Sequence, residues 1–369
     1  MDRVYDRSRV VTDWKCPRAR YWGYEYGGKG IRKSSTSLEL FTGITVHDCL
    51  ATIATQHLTS DGQVDIEEIA TLAFSAMKKQ LLEANEGEVG ADEFANEQAC
   101  LTEGMLRGFY KHVWPRLLAQ YPTIRYIEQE VEYKHDGLVF MSKPDLVMEN
   151  SEGDWVYIEY KTTGTKKEEW INSWETAVQL HSAIKACEQT LGKAPNMVQI
   201  VGLYKGYQSY GKQSSPFCYA YMKKGNPPFS EDQIAYEYKA GLKRYPVWEL
   251  EGGVKKWVDD MPETVLANQF PMSPPIFVNE DMVQSFFNQR AVREREIAEA
   301  NEWLIANPEG TQDILNGYFP QKFDQCIPPY GRACEFKKLC HGRCDDPLKE
   351  GFDWRTPHHQ LELDMFEAE

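Results

Sequence analysis

Two short β-rich runs in the middle of this chain bring two acids and a lysine together. Lys143-Pro144-Asp145-Leu146-Val147-Met148 is followed by a polar turn, Glu149 to Asp154, and then by Trp155-Val156-Tyr157-Ile158-Glu159-Tyr160-Lys161. Runs rich in Val, Ile and Tyr on either side of a polar turn predict a β-hairpin. Side chains alternate along a strand, so Glu159 and Lys161 share a face with Tyr157, while Ile158 and Tyr160 take the other. Asp145, near the start of the first strand, is then able to face Glu159. Two carboxylates converging at a strand end suit a hard cation such as Mg²⁺, which takes oxygen ligands. An ammonium beside that ion can orient a water nucleophile or offset charge on a phosphate. The plain alternative is a surface hairpin with a solvated Glu–Lys pair, worth roughly 0.2–1 kcal/mol.

Cysteine spacing supplies a second, independent constraint. Of nine cysteines, Cys326, Cys334, Cys340 and Cys344 crowd into one segment, and Cys16 stands alone near the start in Lys15-Cys16-Pro17-Arg18. Met1 to Arg9 is polar and charged, without the apolar core of a signal peptide, so the expectation is an intracellular, cytoplasmic chain with reduced thiols. Clustered thiolates in that setting favour a soft metal or an iron–sulfur cluster over disulfides. Cys326, Cys334, Cys340 and Cys344, with His341 nearby, are also sufficient for a tetrahedral Zn²⁺ site. Cys49, Cys100, Cys187 and Cys218 sit in apolar or helical text and read as small buried hydrophobes.

Taken in order, these motifs resemble the PD-(D/E)XK nuclease superfamily, with Pro144-Asp145 as its PD and Glu159-Tyr160-Lys161 as its ExK. Gly43-Ile44-Thr45-Val46-His47 looks like the Gly-x-x-x-His helix of the RecB-like branch, which includes the CRISPR-associated exonucleases. The resemblance implies that His47 joins Asp145 and Glu159 as a ligand of Mg²⁺ or Mn²⁺, with Lys161 as the catalytic lysine. Val178-Gln179-Leu180 resembles the opening of that branch's Gln-x-x-x-Tyr motif, although the Tyr position is Ala183. Cys16-Pro17-Arg18 looks like the opening of the cluster-bearing members, which include AddB-like nucleases and hold a [4Fe–4S] cluster with one early and three late cysteines. By that likeness Cys16, Cys334 and Cys340 are ligands, the last two matching a Cys-x5-Cys pair. The fourth is Cys326, whose gap to Cys334 is longer than the family's usual one, which leaves Cys344 as a competitor.

Charge sets a puzzle for such a reading. The formal net charge is −15, whereas phosphate contacts need Lys and Arg. DNA binding must therefore use local basic patches. Arg18, Arg20, Lys29, Arg32 and Lys33, interleaved with Tyr21, Trp22, Tyr24 and Tyr26, combine cations with rings that can stack on unpaired bases. Lys166, Lys167, Lys205, Lys212, Lys223 and Lys224 form further candidates. Solvated loops are the alternative for each.

With 369 residues and 42% hydrophobic content the chain can bury a large core. No apolar run approaches the ~20 residues a membrane helix needs, and no Walker-type phosphate loop is present. Helices are predicted over 43–57, 66–82, 91–118 (broken near Pro115), 170–191, 232–245, 253–260 and 281–306. Strands are predicted over 123–134, 139–148, 155–162, 197–204 and 217–222. Glu130 or Glu132, on the strand before Asp145, could add a carboxylate near the metal.

The expected architecture is α/β: a PD-(D/E)XK core of mixed sheet flanked by helices (119–228), between helical regions (1–118 and 229–350) joined by the cysteine cluster. An acidic, flexible tail (351–369) ends in Gln360, Leu363 and Phe366, spaced like a sliding-clamp-binding peptide. The function expected is a metal-dependent DNA nuclease, an exonuclease on single strands or ends, in replication, recombination or phage DNA processing. The readings from other classes are a non-catalytic nucleic-acid-binding or assembly module and a zinc-stapled interaction protein.

Overall fold

The computed structural model describes residues 4–34, 38–164, 178–209, 212–222, 234–236, 241–307, 311–327, 333–344 and 346–356. Strand β1 (Val4–Asp6) runs into helix α1 (Arg7–Lys15), whose start is fixed by Asp6: its carboxylate accepts the backbone N–H of Arg9 at 2.6 Å. A strand, β2 (Ile31–Lys33), precedes three helices, α2 (Leu38–Thr59), α3 (Ile66–Ala84) and α4 (Ala91–Gly108). The break expected near Pro115 falls earlier, in a π-helical turn at Phe109–Val113, and Pro115 opens the next helix, where its missing N–H costs nothing.

The β-rich middle divides more finely than the sequence suggests. Residues 123–134 form two strands, β3 (Thr123–Ile127) and β4 (Val131–His135), and 139–148 form β5 (Leu138–Ser142) and β6 (Leu146–Glu149). Pro144 lacks a ladder donor, and the chain leaves one sheet for another around it. Strand β7 (Trp155–Thr163) pairs antiparallel with β6, placing Leu146 opposite Ile158, so the predicted hairpin forms. Helix α5 (Val178–Leu191) and strand β8 (Met197–Tyr204) follow, β8 lying parallel to β7. With β9 (Ile276–Phe277) at one edge, the central sheet is five-stranded in the order β9-β8-β7-β6-β3, and a second sheet runs β1-β5-β4.

Alternation along β7 sorts the two sides of this sheet. Val156, Ile158 and Tyr160 enter a core shared with Val46, Leu50 and Ile53 of α2, and Tyr157 enters another with Leu180 and Ile184 of α5. Packing is close enough on α4 to demand glycine: a Cβ on Gly104 would lie 2.5 Å from that of Phe217. Among the described residues of the helix predicted over 232–245, Ile234–Ala235 and Lys243–Pro246 are instead strands that pair with Tyr219–Met222, and Gly241 adopts a positive φ of 92° that no helix takes.

Helix α6 (Glu280–Ala306) brings the C-terminal part back to the N-terminus. Arg290 pairs with Asp13 at 3.0 Å and Glu294 with Arg20 at 2.9 Å. Strand β10 (Phe352–Trp354) adds antiparallel to β2, so the stretch from Phe352 to Trp354 is ladder, not tail. Gln360, Leu363 and Phe366 lie outside the described residues, as do Lys166, Lys167, Lys223 and Lys224. Among the described residues no helix is long and apolar enough to cross a membrane.

Candidate metal centre and cysteine lobe

The end of the β6–β7 hairpin gathers side chains from four elements. Asp145 immediately precedes β6, and its Oδ2 accepts the backbone N–H of Tyr160 at 2.7 Å, tying the PD end of the hairpin to the ExK strand. Its Oδ1 lies 3.2 Å from Nδ1 of His47, which α2 supplies from 98 residues away. Glu128 arrives by backbone pairing: β3 runs antiparallel to β6, and just past its end the N–H of Glu128 donates to the carbonyl of Asp145 at 2.9 Å. Lys143 then holds the Glu128 carboxylate at 2.8 Å.

Ligand atoms of His47, Glu128 and Asp145 all lie within 4.8 Å of one another, a group of two carboxylates and one imidazole. That donor set fits a divalent cation with a preference for oxygen and tolerance of one nitrogen, such as Mg²⁺ or Mn²⁺. A further sign of a polar occupant is the Tyr160 hydroxyl, buried with no hydrogen-bond partner among the described residues and close enough to Asp145 and Glu128 to feel both charges. Glu130 and Glu132, the acids singled out from sequence, are exposed; the acid at the site is Glu128. The signal for it was strand pairing, which composition does not reveal.

Glu159 is fully buried one strand away and differently engaged. Its Oε1 faces Nζ of Lys161 at 2.5 Å and NH1 of Arg7 at 3.7 Å, and its Oε2 accepts the Tyr157 hydroxyl. The shared face of Tyr157, Glu159 and Lys161 is the one alternation predicts. Glu159 is not in the His47–Glu128–Asp145 group, although its carboxylate is near enough to Asp145 for the two charges to act on each other.

Electrostatics divide the carboxylates. Burial pushes Asp145 up, but contact with His47, the Lys161 charge and the Tyr160 N–H outweigh it and bring its pKa down to about 2. Glu159 moves the other way: burial, with Asp145 adding to it, outweighs Lys161 and Arg7 and raises it. Glu128 is also raised, by burial first and by Asp145, against Lys143 and His47. His47 is raised, because the Asp145 carboxylate overcomes the burial that opposes its charge.

The late cysteines lie in a small lobe of their own, with Cys16 nearby. Cys334 donates its backbone N–H to the carbonyl of Cys326 at 3.0 Å, and both Cys334 and Cys340 pack with Cys344 on a small apolar cluster around Phe336 and Phe352. Burial raises the Cys334 thiol, with Cys16 and Cys326 near enough to add to it. Burial likewise pushes Cys340 up to about 11, with Cys334 and Cys16 adding to the rise and Trp22 and Arg18 opposing it. Cys16, from the start of the chain, thus lies among the late thiols.

Arg18, Arg20 and Tyr21 are placed against the expectation that they meet a nucleic acid strand. Arg18 is buried, donating to the Phe319 carbonyl at 2.8 Å and to Asn316 at 3.0 Å. Arg20 is wholly buried between Glu25 and Glu294, and Tyr21 packs against Phe319. These residues hold the N-terminal turn to the C-terminal helices. Lys29, Arg32 and Lys33 stay exposed. Gln179 is on α5, and its side chain lies outside the described residues.

Residues 7–341 match the family model of the PD-(D/E)XK nuclease superfamily. No curated protein matches the chain. The crystal structure of SSO0001 is similar over 60% of this chain and 86% of that one, at 13% identity and a TM-score of 0.20, a likeness too slight to add to the family match.

Proposed function

The chain belongs to the PD-(D/E)XK nuclease superfamily, and on that premise we propose that it is a metal-dependent DNA nuclease of the RecB-like type, acting on single strands or ends. The observation that carries this reading is the convergence of His47, Glu128 and Asp145 at the hairpin end that also bears Lys161. His47, Asp145 and Glu128 would hold Mg²⁺ or Mn²⁺, with Glu159 beside them. A cation there supplies Lewis-acid stabilisation of charge developing on the phosphate and makes water more acidic.

The protein's own groups do the rest. Asp145 stays ionised across the physiological range because His47 and the Tyr160 N–H stabilise its charge. Lys161 is held by Glu159 with its ammonium at the site, where it orients the attacking water or meets a phosphate oxygen. Water attacks phosphorus in line and the P–O bond to one sugar breaks; one product keeps the phosphate, and the other leaves as an alcohol that takes up a proton as the attacking water gives one up. Incubating the purified protein with Mn²⁺ and end-labelled linear single strands, blunt duplexes and closed circles tests the reading. Linear single strands degraded and circles spared support an exonuclease, and no cleavage of any substrate rejects the nuclease reading.

For the cysteines we propose a [4Fe–4S] cluster held by Cys16, Cys326, Cys334 and Cys340, stapling the chain ends together. Its support is that Cys16 and Cys326 lie near enough to Cys334, and Cys16 and Cys334 near enough to Cys340, to raise those thiols. Iron and zinc counted on protein purified without oxygen decide it: roughly four irons per chain are expected, and stoichiometric zinc instead contradicts it. Cys326→Ser and Cys344→Ser, compared by iron content, separate the two candidates for the fourth ligand.

A further inference from the structure

Two cations converge on a single oxygen of Glu159. Lys161 approaches Oε1 to 2.5 Å, and Arg7 stands 3.7 Å from the same atom. One carboxylate therefore faces two positive charges, of which Lys161 also acts on Asp145. Sequence reasoning singled out Lys161 and passed over Arg7.

Rigid elements place Arg7. It follows β1, which lies parallel to β5 with Asp6 opposite Met141, and β5 leads directly into Lys143-Pro144-Asp145. The strand that delivers Asp145 thus also sets the level at which Arg7 leaves the sheet. Asp6 then fixes the turn that follows by accepting the Arg9 N–H at 2.6 Å. The Arg7 side chain is 36% exposed beside a wholly buried carboxylate.

The contact with Glu159 is not Arg7's full capacity. At 3.7 Å it is an ion pair beyond hydrogen-bond length, and among the described residues Arg7 has no other ion pair. A guanidinium carries five N–H donors in a planar fork that matches two oxygens of a phosphate. A group built only to neutralise Glu159 would sit closer and deeper, as Lys161 does.

We propose that Arg7 is a substrate-binding residue that grips a backbone phosphate of the nucleic acid strand on the Glu159 flank, opposite the His47–Asp145 flank. The proposal rests on the nuclease reading above and extends it to where an acidic chain finds cationic contact with its strand. The ligand it requires is a phosphodiester oxygen pair, independent of base identity.

The experiment uses a fluorescent 12-nucleotide single strand and full-length protein carrying Asp145→Asn, so that binding is read without cleavage. Anisotropy titrations across a salt series compare this parent with versions that also carry Arg7→Ala or Arg7→Lys. Removing one phosphate contact should weaken binding roughly tenfold and reduce the salt slope by about 0.7. Arg7→Lys should keep the slope and lose part of the affinity, since the charge remains and the fork is lost. An Arg7→Ala protein with the parent's affinity and slope overturns the proposal.

Because Arg7→Ala could disturb folding, the unaltered chain provides a second readout. Phenylglyoxal labelling of Arg7, followed by peptide mass spectrometry, should fall when the same strand is present. Equal labelling with and without it also overturns the proposal. If the unaltered protein neither binds nor cuts any nucleic acid, the nuclease reading falls, and the Arg7 assignment with it; binding that is indifferent to Arg7 removes the assignment alone.

Discussion

The backbone N–H of Tyr160 donates to Oδ2 of Asp145 at 2.7 Å, so the carboxylate of the first hairpin strand is anchored by the second strand before it meets any ligand. The other oxygen of Asp145 faces His47. One residue is therefore both a fastening of the hairpin and the partner of a helix from elsewhere in the chain.

Asp145→Asn should uncouple these roles. An amide can still accept from Tyr160, so the fold is expected to persist, while cleavage falls by at least about a hundredfold through loss of a charged ligand. The same substitution should lower the pKa of His47, which Asp145 holds up. A proton NMR titration of His47 checks this, and an unmoved pKa would show that the pair is not coupled as described.

Metal affinity should depend on pH through His47. A ligating imidazole must be neutral, and the His47 pKa is raised above 6.5. Affinity is thus expected to be full above that raised value and to decline as pH falls through it. Calorimetric Mn²⁺ titrations between pH 6 and pH 9 would detect the decline. Affinity that is flat over that range argues against His47 as a ligand.

Stability at acid pH has its own signature. Asp145 is depressed from 3.8 to about 2 in the folded chain. Its contribution is present above the unfolded value and is lost as pH drops from about 4 towards 2. Denaturation melts through that window should show a loss in the native protein that is smaller in Asp145→Asn.

Glu159→Gln should stabilise the fold while removing activity. The folded pKa of Glu159 is raised, so the unfolded state prefers the ionised form, and holding it ionised at neutral pH opposes folding. A neutral amide can still accept from Tyr157. A gain of roughly 0.5–2 kcal/mol is expected at pH 7, in the range typical of relieved strain at functional sites, shrinking as pH falls through the carboxylate range. Urea melts measure it, and a large destabilisation would mean that the Lys161 pairing dominates.

Arg20→Ala is expected to be severe, by roughly 3–5 kcal/mol, because it removes the wholly buried cation shared by Glu25 and Glu294, leaving Glu294 to Arg290 and Glu25 to weaker contacts such as Asn301. Chemical denaturation would reveal it. A change under about 1 kcal/mol would show that water or other groups satisfy those acids.

Much of the site was legible in the sequence because it is local. The hairpin, its turn and the face shared by Glu159 and Lys161 follow from composition and a period of two. Glu128 was not legible, since its place beside Asp145 depends on β3 choosing β6 as its neighbour. Arg18 and Arg20 misled for a similar reason: a string of cations and rings looks like a binding surface until Glu294, 274 residues after Arg20, closes over it. Helical text at 232–245 likewise yielded to pairing with Tyr219–Met222, an instance of tertiary partners overriding local preference.

If Lys161 and Asp145 serve one metal-dependent cleavage site, losing either must stop cleavage. Native protein, Lys161→Ala and Asp145→Asn, each shown to be folded by circular dichroism, can be compared on one 5′-labelled linear single strand with Mn²⁺ and with excess chelator. Cleavage is expected from the native protein with Mn²⁺ only, with a loss of at least about a hundredfold in both variants. Equal cleavage by all three proteins, or cleavage that survives the chelator, would contradict it.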